Sequence, residues 1–101
     1  MITADFAVLP VGSKGTDLGK YVSVAVQTIK DSGLNYELTG MGTQIEAETL
    51  DELYEAIKKA QEAVFNVGAN RVYTVIKIDD RRDKKNRGLK DKVDTVNEMI
   101  E

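Results

Sequence analysis

The amino-acid sequence predicts one α+β domain over residues 1–101, with elements in the order βαββαβ and a short C-terminal helix. Three observations support this prediction. Four segments alternate apolar and polar residues with the period of two that strands require. Two longer segments repeat apolar residues at helical spacing. Glycines and capping residues separate the segments, and the length of 101 residues suits a single core.

The first strand and the first helix are predicted from the N-terminal third of the chain. Residues 2–9 alternate between two faces and form the strand. A helix follows to about Asp31, with Thr16 or Asp17 as its N-cap. Gly33 suits the left-handed position that ends a helix. The apolar stripe of this helix comprises Leu18, Val22, Ala25, Val26 and Ile29.

The second and third strands are predicted as a hairpin. Residues 34–39 form one strand and residues 43–48 the other. Between them lie Gly40, Met41 and Gly42, and glycines on both sides of one residue let the backbone bend and approach a neighbour closely. The turn is therefore a place where backbone and ligand could come together.

The second helix has the clearest boundaries in the sequence. Thr49 and Glu52 match a capping box at its start, and Gly68 ends it. Residues 71–79 then alternate as the fourth strand. A short terminal helix is predicted from an apolar stripe of Leu89, Val93, Val96 and Ile100.

The order of these elements predicts the sheet. Right-handed crossovers place both main helices on one face of a four-stranded antiparallel sheet. This arrangement is the ferredoxin-like sandwich.

Composition excludes several classes of function. The chain contains no Cys and no His, so disulfides, Ser-His or Cys-His catalysis and His-ligated zinc are impossible. A net charge of −3 argues against general nucleic-acid binding. We find no membrane-spanning run and no signal peptide, and we expect a cytoplasmic protein.

The faces of the first and fourth strands predict self-association. In a monomer of this fold the face without helices should be polar. Here Ala7 and Leu9 oppose the core-facing residues of the first strand, and Tyr73 and Val75 do so in the fourth. An apolar open face indicates an interface, so we expect a dimer or tetramer assembled through the sheets. The alternative is that the terminal helix covers part of this face.

Two charged or glycine-containing loops are weaker candidates. Residues 11–16 precede a helix and could hold an anion, but the phosphate-loop spacing is missing and a structural turn is favoured. Residues 79–83 contain paired Asp residues that could bind a divalent cation. The interleaved Arg residues favour surface ion pairs instead.

Single side chains on the strands offer further hypotheses. Lys77 lies within a strand and is either an edge residue with a solvated amine or the partner of a carboxylate such as Glu46. Tyr36 and Tyr73 are interpreted as core-edge residues. If both lay on the open face, they could stack on a flat heterocycle.

The chain also resembles the small thiamine-binding, YkoF-like proteins. The resemblance covers nearly the full length and rests on the order and spacing of several short stretches. These are residues 8–12, residues 22–38, the turn at 41–46, residues 71–81, and Lys92-Val93 with Val96.

This resemblance implies a ferredoxin-like domain that forms dimers and tetramers and has no catalytic activity or cofactor. It implies a small-molecule ligand such as thiamine or its hydroxymethylpyrimidine part. The residues alone favour a plain hairpin turn with solvated polar side chains, and only the resemblance favours a carrier or sensor for such a ligand. The ligand-binding residues that it implies are Tyr36, Thr39, Met41, Gly42, Thr43, Glu46 and Lys77.

Three other functions remain open at this point. An ACT-like regulatory domain would bind an effector at a subunit interface. A structural or interaction protein would use sheet pairing alone. An enzyme is the weakest hypothesis, because Glu46 and Lys77 alone give little basis for a mechanism.

Overall fold

The computed structural model describes residues 1–12, 18–84 and 87–101. Its elements follow the predicted order. They are β1 (Ile2–Pro10), α1 (Gly19–Asp31), β2 (Tyr36–Thr39), β3 (Gly42–Ala47), α2 (Leu50–Asn66), β4 (Val72–Asp80) and α3 (Leu89–Ile100).

The four strands form one antiparallel sheet in the order β2-β3-β1-β4. Helices α1 and α2 pack side by side over one face, which confirms the ferredoxin-like βαββαβ arrangement. The core lies between these helices and the sheet. Its largest fully buried side chains are Phe6, Ile29, Ile45, Leu53 and Val64.

The chain between α1 and β2 differs from the predicted boundary. The Gly33 backbone is left-handed with φ of 81°, and the N–H of Leu34 donates to the Ser32 hydroxyl. These contacts hold a turn, so β2 begins at Tyr36, two residues later than predicted. At the start of α1, the predicted N-caps Thr16 and Asp17 lie outside the described residues.

The predicted start of α2 is confirmed. The Thr49 hydroxyl accepts a hydrogen bond from the N–H of Glu52 at 3.2 Å. The Glu52 carboxylate reaches back as well, but it accepts from the N–H of Glu48, one residue before the N-cap. At the other end, Gly68 adopts φ of 110°, a backbone conformation that favours glycine.

The sheet face opposite α1 and α2, called the open face below, is covered by the described residues at one end only. There α3 approaches through the N–H of Leu89, which donates to Glu46, and through Lys92, which donates to the hydroxyl of the buried Thr3. At the other end Leu9, Tyr73 and Val75 are exposed. Apolar side chains therefore occupy both faces, as predicted, and α3 covers part of the open face.

None of the helices in the described residues is both long enough and apolar enough to cross a membrane.

Candidate functional site

A cavity of about 130 Å³ lies between α1 and the turn that joins β2 to β3. On the α1 side, its wall is formed by Val22, Ala25 and Val26. Residues 6–9 of β1 form a second wall, and residues 38–43 close the cavity. An apolar cavity of roughly 150 Å³ accommodates benzene, so this space suits one aromatic ring.

The turn beside the cavity is held by the Thr39 side chain. Thr39 pairs with Gly42, which leaves Gly40 and Met41 as the two loop residues. The Thr39 hydroxyl donates to the carbonyl of Gly42 at 2.9 Å and accepts from the N–H of Met41 at 3.4 Å. One side chain thus fixes both ends of the loop. The Met41 side chain is 91% exposed and so stands at the mouth of the cavity, free to pack on a bound molecule.

Gly42 is required by close approach to β1. None of the left-handed glycines lies in this turn, so backbone bending is not the reason for glycine here. A Cβ atom at Gly42 would lie 2.7 Å from Asp5 Oδ1 and 3.1 Å from the carbonyl oxygen of Phe6. A Cβ atom at Gly40 would meet nothing within 4 Å. Of the two predicted turn glycines, only Gly42 is demanded by its surroundings.

Thr43 brings a polar group into the apolar interior. It pairs with Phe6 of β1 and, like Phe6, is buried on the helix-covered face. Its side chain lines the cavity together with Thr39. The Thr43 hydroxyl is a side-chain polar group that a ring in this space would meet, whereas the side chain of Thr39, which pairs with Gly42, alternates to the other face of the sheet. The described part of the lining contains no charged side chain.

Glu46 lies on the open face, away from the cavity. Its Oε1 atom accepts a hydrogen bond from the N–H of Leu89 at 2.8 Å. The N-cap of α3, Gly88, is so close that a Cβ atom there would lie 2.6 Å from Glu46 Oε1. The carboxylate therefore holds the first turn of α3 against the sheet.

Of the two alternatives for Lys77, the pairing with Glu46 is wrong. Lys77 lies opposite Asp5 in the register of β4 and β1, and its amine is 3.7 Å from the Asp5 carboxylate. Because β1 separates β4 from β3, the nearer acidic residue is the one on β1. The Lys77 side chain is 79% exposed, as expected for an edge strand.

The two tyrosines do not share a face. Tyr36 pairs with the fully buried Ile45, so its side chain belongs to the helix-covered face at the sheet edge. Tyr73 pairs with Leu9 and lies on the open face, where it is exposed. The arrangement with both tyrosines on the open face is therefore not present.

The cavity thus brings together Thr39, Met41, Gly42 and Thr43, while Tyr36, Glu46 and Lys77 lie elsewhere. Helical spacing identified Val22, Ala25 and Val26 only as part of a core stripe and did not predict that they line a cavity. Their periodicity carries no signal that distinguishes a filled core from a cavity.

The charged run after β4 forms ion pairs, as predicted. Arg81 contacts Asp83 at 2.7 Å, and Arg82 contacts Asp80 at 2.9 Å. The hydrogen bond from Arg81 lowers the pKa of the Asp83 carboxyl to about 2. In the same way, the hydrogen bond from Lys92 lowers the pKa of Asp79. No group of three acidic side chains in the described residues is arranged to hold a metal ion.

A ferredoxin-like domain with a ring-sized cavity beside a fixed turn defines a small-molecule-binding module. Comparison with known families agrees with this class. The chain belongs to the thiamine-binding protein family, whose model matches residues 4–97. The matched region includes every described residue that lines the cavity. Membership supports a small-molecule-binding role, and the family description names binding and no catalytic activity.

Relatives and solved structures agree over nearly the whole chain. The UPF0045 protein of Methanothermobacter thermautotrophicus is 55% identical over 100 residues, covering 99% of this chain and 100% of the relative. The crystal structure of a hypothetical protein from Methanocaldococcus jannaschii has a TM-score of 0.85 and 36% identity, covering 96% of each chain.

A third comparison shows the fold alone. A Thermotoga maritima protein, whose suggested role is thiamine biosynthesis or salvage, has a TM-score of 0.78 and 22% identity. The match covers 94% of this chain and 97% of that protein.

Proposed function

We propose that this protein is a non-enzymatic carrier or sensor that binds thiamine or a hydroxymethylpyrimidine-like ligand in the cavity beside the β2–β3 turn. The observation that carries the proposal is the position of that cavity. A ring-sized space lined by Thr39 and Thr43 lies within the region that matches the thiamine-binding family.

The walls of the cavity suit a flat, neutral ring. Val22, Val26 and Phe6 supply apolar surface on which an aromatic ring can pack. The Thr43 hydroxyl and the backbone of the turn supply donors and acceptors for the nitrogen edge of an aminopyrimidine. Binding then combines apolar burial with a few directional hydrogen bonds.

The absence of charge in the described lining favours one part of thiamine over the other. A thiazolium cation inside the cavity would lose its hydration without gaining an ion pair there. We therefore place the pyrimidine inside and the thiazolium outside, against the exposed Met41 side chain. On this proposal hydroxymethylpyrimidine binds with more affinity per atom than thiamine.

A cytoplasmic location and self-association through the open face are parts of the same proposal. The exposed side chains of Leu9, Tyr73 and Val75 support the self-association. The cavity is formed within one chain, between α1 and the turn. This geometry favours a ligand carrier over an ACT-like domain, whose effector site would cross a subunit interface.

Calorimetric titration with hydroxymethylpyrimidine and with thiamine tests the proposal. We expect both to bind to the unmodified protein, and Val22→Phe to weaken binding at least about tenfold, because the added ring fills the cavity. Ser23→Phe adds the same ring to the exposed side of α1 and is the matched control. The absence of both binding heat and a thermal shift at millimolar ligand would refute the proposal.

A further inference from the structure

The cavity beside the β2–β3 turn has a buried inner end and an exposed rim. Leu38 and Met41 line the rim and are 57% and 91% exposed. Four other lining residues are at most 5% exposed and form the inner end: Phe6, Val8, Ala25 and Thr43. A molecule that enters past the rim meets these four residues last.

Ala25 is the smallest residue of the apolar stripe on α1. Its neighbours in that stripe at helical spacing, Val22 and Ile29, carry larger aliphatic side chains. Ile29 is fully buried in the core, whereas Val22 lines the cavity together with Ala25. A large aliphatic side chain is thus missing from the stripe at position 25, where the helix borders the cavity.

The size of the cavity matches this missing side chain. Replacing a buried Leu by Ala in a packed core leaves a cavity, because the surrounding structure relaxes only in part. An apolar cavity of roughly 150 Å³ made in this way holds one benzene ring. The cavity here measures about 130 Å³ and has Ala25 in its wall. The small side chain at position 25 therefore accounts for the space.

Thr43 gives an independent indication that a ligand occupies the inner end. Only 3% of this residue is exposed. Its hydroxyl oxygen is not fully enclosed, and none of the hydrogen bonds among the described residues involves it. A hydroxyl so deep in a protein normally has a partner, because burial without one is costly. A ring nitrogen at the inner end of the cavity can be that partner.

We propose that Ala25 determines which ligands the site accepts. Its methyl group leaves room at the inner end for a single six-membered nitrogen heterocycle, and a larger aliphatic side chain at this position closes that room. The inference rests on the proposed function, because it concerns the same cavity. It adds the residue that limits ligand size.

Ligand binding and stability then change in opposite directions at position 25. A larger side chain fills the cavity, which removes the space for the ligand and gives the folded chain new packing contacts. A residue with a merely structural role behaves differently, because a substitution that disturbs it weakens folding and binding together.

Ala25→Val and Ala25→Leu test the proposal, with aminopyrimidine as the probe. By calorimetry, we expect the dissociation constant to rise at least about tenfold in Ala25→Val and binding to be lost in Ala25→Leu. The unfolding temperature of ligand-free Ala25→Leu should rise by roughly 4 °C.

Ala60→Leu is the matched control, because Ala60 is fully buried on α2 and is not among the described residues that line the cavity. The same added side chain overpacks a filled core there, so the unfolding temperature should fall. Aminopyrimidine binding, measured well below that temperature, should be retained.

A second probe tests the size limit in the unmodified protein. Aminoquinazoline has the nitrogen edge of aminopyrimidine and one more fused ring, which would ordinarily strengthen binding through its added apolar surface. In a cavity that holds one ring, the second ring stays in solvent, so we expect no gain in affinity. A gain of about tenfold or more would show that the second ring is accepted and would overturn the size limit.

Two further results would overturn the proposal. Ala25→Leu that lowers the unfolding temperature as Ala60→Leu does would show that position 25 borders no space to fill. Ala25→Leu that still binds aminopyrimidine would show that this space is not the binding site.

Failure of the proposed function gives a different pattern. If aminopyrimidine binds while hydroxymethylpyrimidine and thiamine do not, the proposed ligand is wrong and the role of Ala25 stands. If none of these compounds binds, the proposed function fails, and the unfolding temperatures of Ala25→Leu and Ala60→Leu decide by themselves whether Ala25 leaves the space.

Discussion

The Oε1 atom of Glu46 accepts a hydrogen bond at 2.8 Å from the backbone N–H of Leu89, 43 residues later in the chain. The contact joins the middle of the sheet to the first turn of α3. A carboxylate at a helix N-terminus satisfies a backbone donor and interacts favourably with the helix dipole. Glu46 therefore positions α3 on the open face, on the other side of the sheet from the cavity.

Replacing Glu46 by Ala should release the root of α3. We expect the free energy of unfolding to fall by about 1–2 kcal/mol, because the N–H of Leu89 loses its acceptor. Amide exchange at Leu89 should accelerate. Glu48→Ala removes an exposed carboxylate two residues away and serves as the control in urea unfolding and exchange measurements. Unchanged exchange at Leu89 in Glu46→Ala would contradict this role.

Gly42→Ala should displace the turn from β1. The new methyl group would meet Asp5 Oδ1 at 2.7 Å and the Phe6 carbonyl at 3.1 Å, so the Asp5 side chain has to move and the β1 backbone has to yield by a few tenths of an ångström. We expect a loss of about 1–3 kcal/mol in the free energy of unfolding and weaker ligand binding. Gly40→Ala enters open space and should change neither quantity by a comparable amount. Equal effects of the two substitutions would show that close approach is not the reason for Gly42.

Lys92→Met should raise the pKa of Asp79 toward its ordinary value of 3.8, because the hydrogen bond from Lys92 is the main cause of its lowering. Carboxyl chemical shifts in an NMR titration measure this pKa. Lys90→Met is the matched control, since Lys90 pairs with Asp94 at 3.8 Å and does not contact Asp79. An Asp79 pKa that stays low in Lys92→Met would contradict the assignment.

The lowered pKa values of two carboxyls, Asp79 and Asp83, predict how the stability of the protein depends on pH. A carboxyl whose pKa is lowered by folding contributes stability in full above 3.8 and loses it as pH falls through the folded value. For Asp83, with a folded pKa of about 2, that window runs from 3.8 down to about 2. Acid unfolding of Lys92→Met should be less steep below pH 3.8 than that of the unmodified protein, since one of the two carboxyls no longer contributes.

Thr49→Ala should weaken the start of α2. The hydroxyl of Thr49 accepts from the N–H of Glu52 at 3.2 Å, and loss of such a cap costs about 1 kcal/mol. Thr49→Ser keeps the acceptor and should retain most of the stability. Urea unfolding of the three proteins makes the comparison. If Ser and Ala destabilise equally, the cap is not the source of the effect.

Much of the fold is predictable because its signals are local. The cap at Thr49 and the stop at Gly68 concern residues within one turn of each other, and both are confirmed. Strand boundaries shifted by one or two residues, as at Tyr36, because a turn held by Ser32 and Gly33 delays the pairing of β2 with β3. The candidate site was predictable only in part. Thr39 to Thr43 meet at the cavity, since they are neighbours in sequence.

The sequence by itself determined the order of the elements, the capped helix α2 and the apolar character of both sheet faces, because periodicity and capping depend on neighbouring residues. Only the tertiary structure decided that Lys77 pairs with Asp5, that Glu46 holds α3, and that Gly42 is needed against β1. Each of these contacts depends on strand register and strand order, which bring together residues far apart in the chain. The cavity, too, exists only because α1 packs beside the turn.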